Sequence, residues 1–158
     1  MAQSLVLAAG ADSGAPRAGG RRQTRDLGGS AVSAGSDLDF ARRLKANLML
    51  IGTEQRLSAF VRSLWPAFDE PVMFRRRDTR LRLPPTSEPV GTMILQGVET
   101  LTDYEQRALQ DWLSVRNGGT RVVTTVSSTL LPMVEAREFS DGLYYRLNTF
   151  CIDLRTQR

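Results

Sequence analysis

The architecture of this chain is clearest in the stretch LMLIG-TEQRLSAFVRSLWP, residues 48–66. Its first four residues are apolar and end at a glycine, which is typical of a buried strand followed by a turn. From Leu57 to Trp65, apolar residues recur at i, i+3, i+4, i+7 and i+8, which predicts one buried helix face. Thr53 is a suitable N-cap, and Pro66 ends the helix. Together, this strand, the glycine turn and the helix predict the first strand and helix of a βαβ unit.

The alternation of strands and helices continues downstream. TDYE at 102–105 fits a capping box at the start of a helix. RVVTTV at 121–126 is rich in β-branched residues and predicts a strand. The other predicted elements are strands at 72–74, 92–95 and 150–154 and short helices at 130–136 and 141–147. We therefore expect an α/β fold of three layers, with a parallel sheet covered on both faces.

The composition excludes several classes of protein. The 158 residues include no histidine and one cysteine, Cys151, which excludes a disulfide framework, a structural zinc site and Ser-His-Asp or Cys-His catalysis. We therefore expect no metal site. No apolar run approaches the length of a membrane-spanning helix, so we expect no membrane association. The lone cysteine and the lack of a recognisable signal peptide favour a cytoplasmic location. Cys151 lies in the apolar closing strand and is predicted to be buried.

Composition also divides the chain into two parts. Residues 1–37 are rich in Gly, Ala, Ser and Arg. They predict a disordered tail, because such a segment buries too little apolar surface to offset its ordering entropy. Residues 38–158 contain the predicted helices and strands and form the expected domain. The net charge is +4, which permits an acidic partner but is modest for this length.

The densest positive charge lies between the first helix and the 92–95 strand. It has two interpretations, a patch that binds nucleic-acid phosphates or a solvated ribbon. Phe74 is the neighbouring aromatic residue, which is too little for a base-stacking platform. The arginines of this cluster are Arg75, Arg76, Arg77, Arg80 and Arg82.

Ten residues near the C-terminus, FSDGLYYRLN at 139–148, resemble a motif of a known family. The AAA+ domain of sigma-54-dependent activators, the bacterial enhancer-binding proteins, typically reads F-R-x-D-L-Y-Y-R-L-N there. RVVTTVS at 121–127 resembles that family's R-I-I-A-A-T-N, and TMILQGVETL at 92–101 resembles T-L-F-L-D-E-I-G-D-L. The resemblance spans about 48–154. It implies a P-loop NTPase-like fold, a role in transcription regulation and, in the family, ATP and Mg²⁺ as cofactors.

The chain departs from this family where ATP is bound and hydrolysed. A phosphate-binding loop reads G-x-x-x-x-G-K-[ST], whereas GTEQRLS at 52–58 has no second glycine and no lysine. Gln96 and Gly97 stand where the family has an Asp for magnesium and a Glu that polarises water, and Ser127 replaces the sensor Asn. We therefore expect a degenerate domain that is not an ATPase and holds no ATP or magnesium. Its remnant nucleotide site would consist of Gly52, Thr53, Glu99 and Ser127.

Two further parts of the family domain are not recognisable. The family carries a sigma-54-contacting G-A-F-T-G-A loop between its nucleotide motifs, and nothing between Gly52 and Gln96 resembles it. Because the sequence ends at Arg158, we also expect the helical lid domain to be missing. The expected fold is therefore a truncated AAA+ sheet with a disordered N-terminal tail.

The resemblance also implies a surface that contacts a partner. In the family, the 139–148 segment faces the nucleotide of the neighbouring subunit. The expected partners are therefore AAA+ activator subunits or sigma-54 RNA polymerase. Arg146 is either an arginine finger or a structural arginine. The proposed contact residues are Phe139, Leu143, Tyr144, Tyr145, Arg146 and Asn148.

Regulation by protein contact is the first functional hypothesis, and two alternatives stay open. One is a weak ATPase in which the fold brings Gly52, Glu99 and Arg146 together. The other is a nucleic-acid-binding module built on the arginine cluster, whose binding would weaken steeply as salt rises.

Overall fold

A computed structural model describes residues 34–156 as helices and strands in alternation. The helices are α1 Ala34–Arg43, α2 Glu54–Leu64, α3 Asp103–Arg116, α4 Leu131–Glu135 and α5 Asp141–Leu147. The strands are β1 Leu48–Ile51, β2 Val72–Arg75, β3 Thr92–Gln96, β4 Arg121–Val126 and β5 Phe150–Asp153. Short 3₁₀ turns lie at Trp65–Ala67 and Val98–Thr100.

The five strands form one parallel sheet in the order β2-β3-β4-β1-β5. Strand residues alternate between two cores. Met49 and Ile51 pack with α3, α4 and α5, whereas Leu48 and Leu50 pack with α1 and α2. Because both faces are covered, β1 and β4 are buried along their whole length. The predicted three-layer α/β fold is confirmed.

The predicted start of α3 is also confirmed. The Thr102 hydroxyl accepts from the Glu105 amide, and Glu105 Oε2 accepts from the Thr102 amide at 2.9 Å, which is a capping box. Glu105 Oε1 also accepts from the Leu81 amide at 2.8 Å. Burial of this carboxyl raises its pKa, but the hydrogen bonds from Leu81 and Thr102 outweigh that effect. The pKa of Glu105 therefore lies below its ordinary value.

The connection between β2 and β3, residues 76–91, contains no helix and crosses α3 as a strap. The Leu81–Glu105 hydrogen bond fixes its middle. Farther along, the Trp112 indole donates to Pro84 O at 2.7 Å, and the Arg116 guanidinium donates to the Glu88 carbonyl. The strap therefore covers one side of the sheet without a secondary-structure element of its own.

Two sequence-based expectations differ from the structure. Helix α1 was not predicted, and its first residues overlap the end of the predicted tail; residues 1–33 lie outside the described part of the chain. Cys151 was predicted to be buried, but it is exposed because β5 is an edge strand.

Within residues 34–156, every helix is too short and too polar to span a membrane.

Candidate functional site

The carboxyl ends of β1, β3 and β4 meet at one edge of the sheet, where ligands bind in open parallel sheets. The Gly52 amide donates to Val126 O at 3.1 Å, and the Gly97 amide donates to Thr125 O at 2.9 Å. These bonds hold the turns after the three strands against one another. Gly52 and Ser127 line one small cavity at this edge, and Thr53 directly follows Gly52. The carboxylate of Glu99 accepts a hydrogen bond from the Ser127 hydroxyl. All four residues of the predicted remnant site are thus at this edge.

The cavity at this edge is small. Its volume is about 50 Å³. Sites for drug-sized ligands and cofactors measure roughly 300–1,000 Å³, so this space fits a few water molecules and not a nucleotide. It is lined by Gly52, Glu54, Leu57, Ser58, Arg77, Gln96, Gly97, Thr125, Val126 and Ser127.

The turn from β1 into α2 explains part of this small volume. Only Gly52 and Thr53 connect the two elements, and Thr53 caps the helix by accepting from the Arg56 amide. A Cβ on Gly52 would lie 3.2 Å from the Cβ of Leu154 and 3.6 Å from Cγ of Leu57. Leucine side chains therefore occupy the space beside the turn.

Arg56 does not face the cavity, although it lies in the first turn of α2. Its guanidinium donates to the carbonyls of Leu154 at 2.6 Å and Arg155 at 3.3 Å, just beyond β5. Glu54 stands at the helix start instead, where its negative charge suits the positive end of the helix dipole. That charge repels an anion at the same position.

An ion pair covers the other side of the cavity. Nη2 of Arg77 lies 3.1 Å from Oε1 of Glu99. The same oxygen also accepts a hydrogen bond from the Ser127 hydroxyl at 3.1 Å. The stem of Arg77 lies across Gly97, whose φ is 62°; a Cβ there would be 2.5 Å from Cγ of Arg77. The left-handed backbone at Gly97 and the absence of its side chain thus let Arg77 reach Glu99. Sequence reasoning missed this pair, because nothing local links positions 77 and 99.

Arg75 is a structural residue and does not belong to a surface patch, which corrects the prediction for the arginine cluster. It is 5% exposed, and its guanidinium donates to Thr79 O at 3.0 Å and Gln96 O at 2.9 Å. Burial lowers its pKa. Arg77 is exposed but pairs with Glu99, so the exposed members of the cluster without an ion pair within residues 34–156 are Arg76, Arg80 and Arg82.

The predicted contact surface on 139–148 is also smaller than expected. Phe139 and Leu143 are buried in the core with α3, so they cannot touch a partner, and this part of the prediction is wrong. Tyr144 is half-buried, and its hydroxyl accepts from Asn148 Nδ2 at 2.8 Å. Of the six predicted contact residues, only Tyr145, at 59% exposure, and Arg146 are exposed.

Arg146 lies at the opposite edge of the sheet from Gly52. Its carbonyl accepts from Asn47 Nδ2 at 2.9 Å, and Asn47 immediately precedes β1. The length of β1 therefore separates Arg146 from Gly52, about 16 Å at about 3.3 Å per residue. Within residues 34–156 the Arg146 guanidinium has no ion-pair partner. The structure does not bring Arg146 to Gly52 and Glu99.

Gln106 is a buried polar residue that sequence reasoning missed. Its side-chain amide donates to the carbonyls of Leu101 and Glu138, both at 3.1 Å, and its oxygen accepts from the Ser140 amide at 2.8 Å. It therefore ties the entrance of α5 to α3. A signal existed, since Gln106 precedes Leu109 by three positions and so falls on the apolar stripe of α3.

An open groove of about 640 Å³ lies beside this junction and carries mixed charge. Asp103, Glu135, Glu138 and Asp141 contribute four negative charges, and Arg107 and Arg137 two positive ones. Tyr145 lines one wall. The groove therefore joins the exposed part of α5 to a mainly acidic surface.

The family of the chain follows from comparison with known sequences. A family model described as the Sigma-54 interaction domain matches residues 35–156. The chain belongs to this family. The resemblance to the sigma-54 activator family noted at 139–148 is thereby confirmed. No curated protein sequence matches it at a significant level.

Solved structures agree on the fold. NtrX from Brucella abortus in complex with ADP superimposes with a TM-score of 0.62 at 15% identity, over 76% of this chain and 36% of NtrX. The P-loop NTPase domain of a sigma-54 activator from E. coli superimposes with a TM-score of 0.53 at 18% identity, over 77% of this chain and 91% of that one. The chain thus spans about a third of the NtrX chain. The P-loop NTPase-like fold is confirmed.

Proposed function

We propose that this domain acts in sigma-54-linked transcription regulation by contact with protein partners and does not hydrolyse ATP. The observation that supports this most is the remnant nucleotide site, a cavity of about 50 Å³ between Leu57 and the Arg77–Glu99 pair. Glu54 repels phosphate at the start of α2, and Leu57 fills space beside the Gly52 turn.

The charges at the site favour the same proposal. A Mg²⁺–phosphate group is held by carboxylates and a lysine on a glycine-rich loop. At the carboxyl end of β3 the structure has Gln96 and Gly97, and Oε1 of Glu99 is engaged by Arg77 and Ser127. Among residues 34–156, no group of three His, Cys, Asp or Glu side chains is placed to hold a metal ion.

The partner would contact Tyr145 and Arg146 on α5 together with the acidic groove beside them. Tyrosine and arginine are enriched among residues that dominate binding energy in protein interfaces. The Tyr144–Asn148 hydrogen bond fixes the turn below them. The chemistry fits an AAA+ activator subunit or sigma-54 RNA polymerase, and the site of action would be the bacterial cytoplasm.

The weak-ATPase alternative is less well supported, because it needs Arg146 beside Gly52 and Glu99. Within one chain these residues lie at opposite ends of β1. The nucleic-acid alternative loses Arg75, which is buried, and Arg77, which is paired.

The first test is binding of a fluorescent ATP analogue to the purified protein in the presence of magnesium. We expect no binding up to millimolar concentration, both for the native chain and for Arg77→Ala, because Leu57 and Leu154 remain in place in both. Micromolar binding to the native chain would overturn the proposal and place the ATPase alternative first.

The second test measures capture of purified sigma-54 RNA polymerase and of a purified AAA+ activator. We expect Tyr145→Ala/Arg146→Glu to lose capture by at least 10-fold. A matched control, Tyr104→Ala/Arg62→Glu, makes the same chemical changes at exposed positions on other helices and should retain it. Capture of neither protein, or equal loss in both variants, contradicts contact through α5.

A further inference from the structure

Strand β2 lies at the edge of the sheet and has strand partners on one side only. It pairs in parallel with β3 from Val72 to Arg75. On its outer side, the backbone of these four residues makes no hydrogen bond to residues 34–156. A bare strand edge is a template for another extended chain, since its N–H and C=O groups are available for pairing.

The strap places positive charge beside this edge. Leu81 and Leu83 turn inward and pack against the core that contains Met73. Arg80 and Arg82 alternate with them and are exposed, and within residues 34–156 neither has an ion-pair partner. Two cationic side chains thus stand beside the edge strand without an ion-pair partner among residues 34–156.

A groove of about 460 Å³ runs between the strap and β2. Its walls include no acidic residue; they are Met73, Phe74, Arg75, Thr79, Arg80 and Arg82. Phe74 is 43% exposed, an unusual exposure for a large apolar side chain in a strand. The groove therefore brings apolar and cationic side chains to the same edge of the sheet.

The two kinds of surface lie on opposite faces of the sheet. Met73 packs with the core below the strap, and Val72 packs with the core of α1 and α2. Because side chains alternate along a strand, Phe74 lies on the face of Val72, whereas the strap that carries Arg80 and Arg82 lies on the face of Met73, where Leu81 and Leu83 pack. A strand added at this edge would meet the two faces with alternate residues.

From this arrangement we infer that the β2 edge binds an extended acidic segment of a partner protein as a sixth strand. Alternate residues of that segment are acidic, toward Arg80 and Arg82, and apolar, toward Phe74. A nucleic acid fits less well, because it gains nothing from the free backbone groups and finds one aromatic residue to stack on. This surface is separate from α5 and from the nucleotide edge, so it does not depend on the function proposed above.

The probe is a fluorescein-labelled peptide of eight residues that alternates glutamate and valine, titrated into the native protein at low salt. We expect saturable binding that weakens at least 10-fold in Arg80→Glu/Arg82→Glu. The matched control Arg62→Glu/Arg107→Glu alters the net charge equally on α2 and α3 and should change affinity less than 2-fold. Circular dichroism checks that both variants remain folded.

Amide hydrogen exchange distinguishes strand addition from attraction of charge alone. On peptide binding, the amides of Val72–Arg75 should exchange more slowly, whereas those of β5, the opposite edge, should be unaffected. Three results would each overturn the inference. They are an unchanged exchange rate of the β2 amides, an equal loss of affinity in both double variants, and tighter binding of an eight-nucleotide single-stranded DNA than of the peptide.

Discussion

Replacement of Gly97 by alanine should destabilise the domain through two separable effects. The first is backbone strain, since φ at Gly97 is 62° and a non-glycine residue in the left-handed region costs about 1–2 kcal/mol. The second is displacement of Arg77, because the new Cβ would lie 2.5 Å from Cγ of Arg77. The Arg77–Glu99 pair is half-exposed on its arginine side, so its loss adds roughly 0.5–1 kcal/mol.

Gly118 supplies a matched control for the strain alone. Its φ is 82°, and nothing lies within 4 Å of a Cβ built on it. Gly118→Ala should therefore show the strain without the displacement. In urea unfolding followed by circular dichroism, we expect Gly97→Ala to lose about 1.5–3 kcal/mol and Gly118→Ala about 1–2 kcal/mol.

A double-mutant cycle with Arg77→Ala assigns the difference to Arg77. Once this side chain is removed, Gly97→Ala should lose only what Gly118→Ala loses, which gives a coupling of roughly 0.5–1 kcal/mol. Two results would refute the view that Gly97 makes room for Arg77. One is a Gly97→Ala variant that is no less stable than Gly118→Ala, and the other is a loss of stability in Gly97→Ala that is unchanged in the Arg77→Ala background.

Three further predictions address the groups around the site. Gln106→Leu should lower stability by about 2–3 kcal/mol, because the Ser140 amide and two carbonyls lose their buried partner; Arg107→Leu, at an exposed position, should change the urea midpoint little. The pKa of Glu105 is lowered in the folded protein, so its ionised carboxylate stabilises the fold at pH values above the unfolded pKa of 4.5. This stabilisation is lost as the pH falls through the lower pKa of the folded state. Glu105→Gln should therefore flatten the acid limb of a stability–pH curve, and an unaltered limb would show that other carboxyls govern it. Cys151 is exposed overall, but its Sγ atom is partly shielded from water. This burial and the negative charge of Asp153 raise the pKa of the thiol to about 11. Its labelling by a thiol reagent at pH 8 should therefore be on the order of 100-fold slower than that of an ordinary thiol, and should accelerate with each pH unit; rapid labelling at pH 8 contradicts this.

The layered fold could be predicted because the local signals are strong and agree. The apolar run at 48–51, the Thr53 cap and the Thr102 capping box each specify one element, and their alternation leaves few arrangements of a parallel sheet. Helix α1 gave a weaker signal. Among residues 36–43 of this helix only Ala41 belongs to the fully buried core, so its apolar stripe is too narrow to recognise, although Asp37 near its start and two arginines at its end suit the helix dipole.

The site was predictable in position but not in detail. A motif match places Phe139 and Leu143 in the right segment, yet it does not tell which residues face the core and which face a partner. Burial of Arg75 follows from contacts with carbonyls of a neighbouring strand, and the Arg77–Glu99 pair joins two distant loops. Such tertiary contacts leave no periodic trace in the sequence.

The volume of the remnant site sets an expectation for nucleotide binding. The cavity measures about 50 Å³, far below the roughly 300 Å³ that a small ligand needs, so a nucleotide enters only if the side chains beside Gly52 move or are shortened. Arg77→Ala removes a partly solvated ion pair at one side of the cavity and leaves Leu57 and Leu154 in place. This is why we expect Arg77→Ala to remain without ATP at millimolar concentration, and why only removal of leucine volume beside Gly52, as in Leu57→Ala, should begin to admit a ligand.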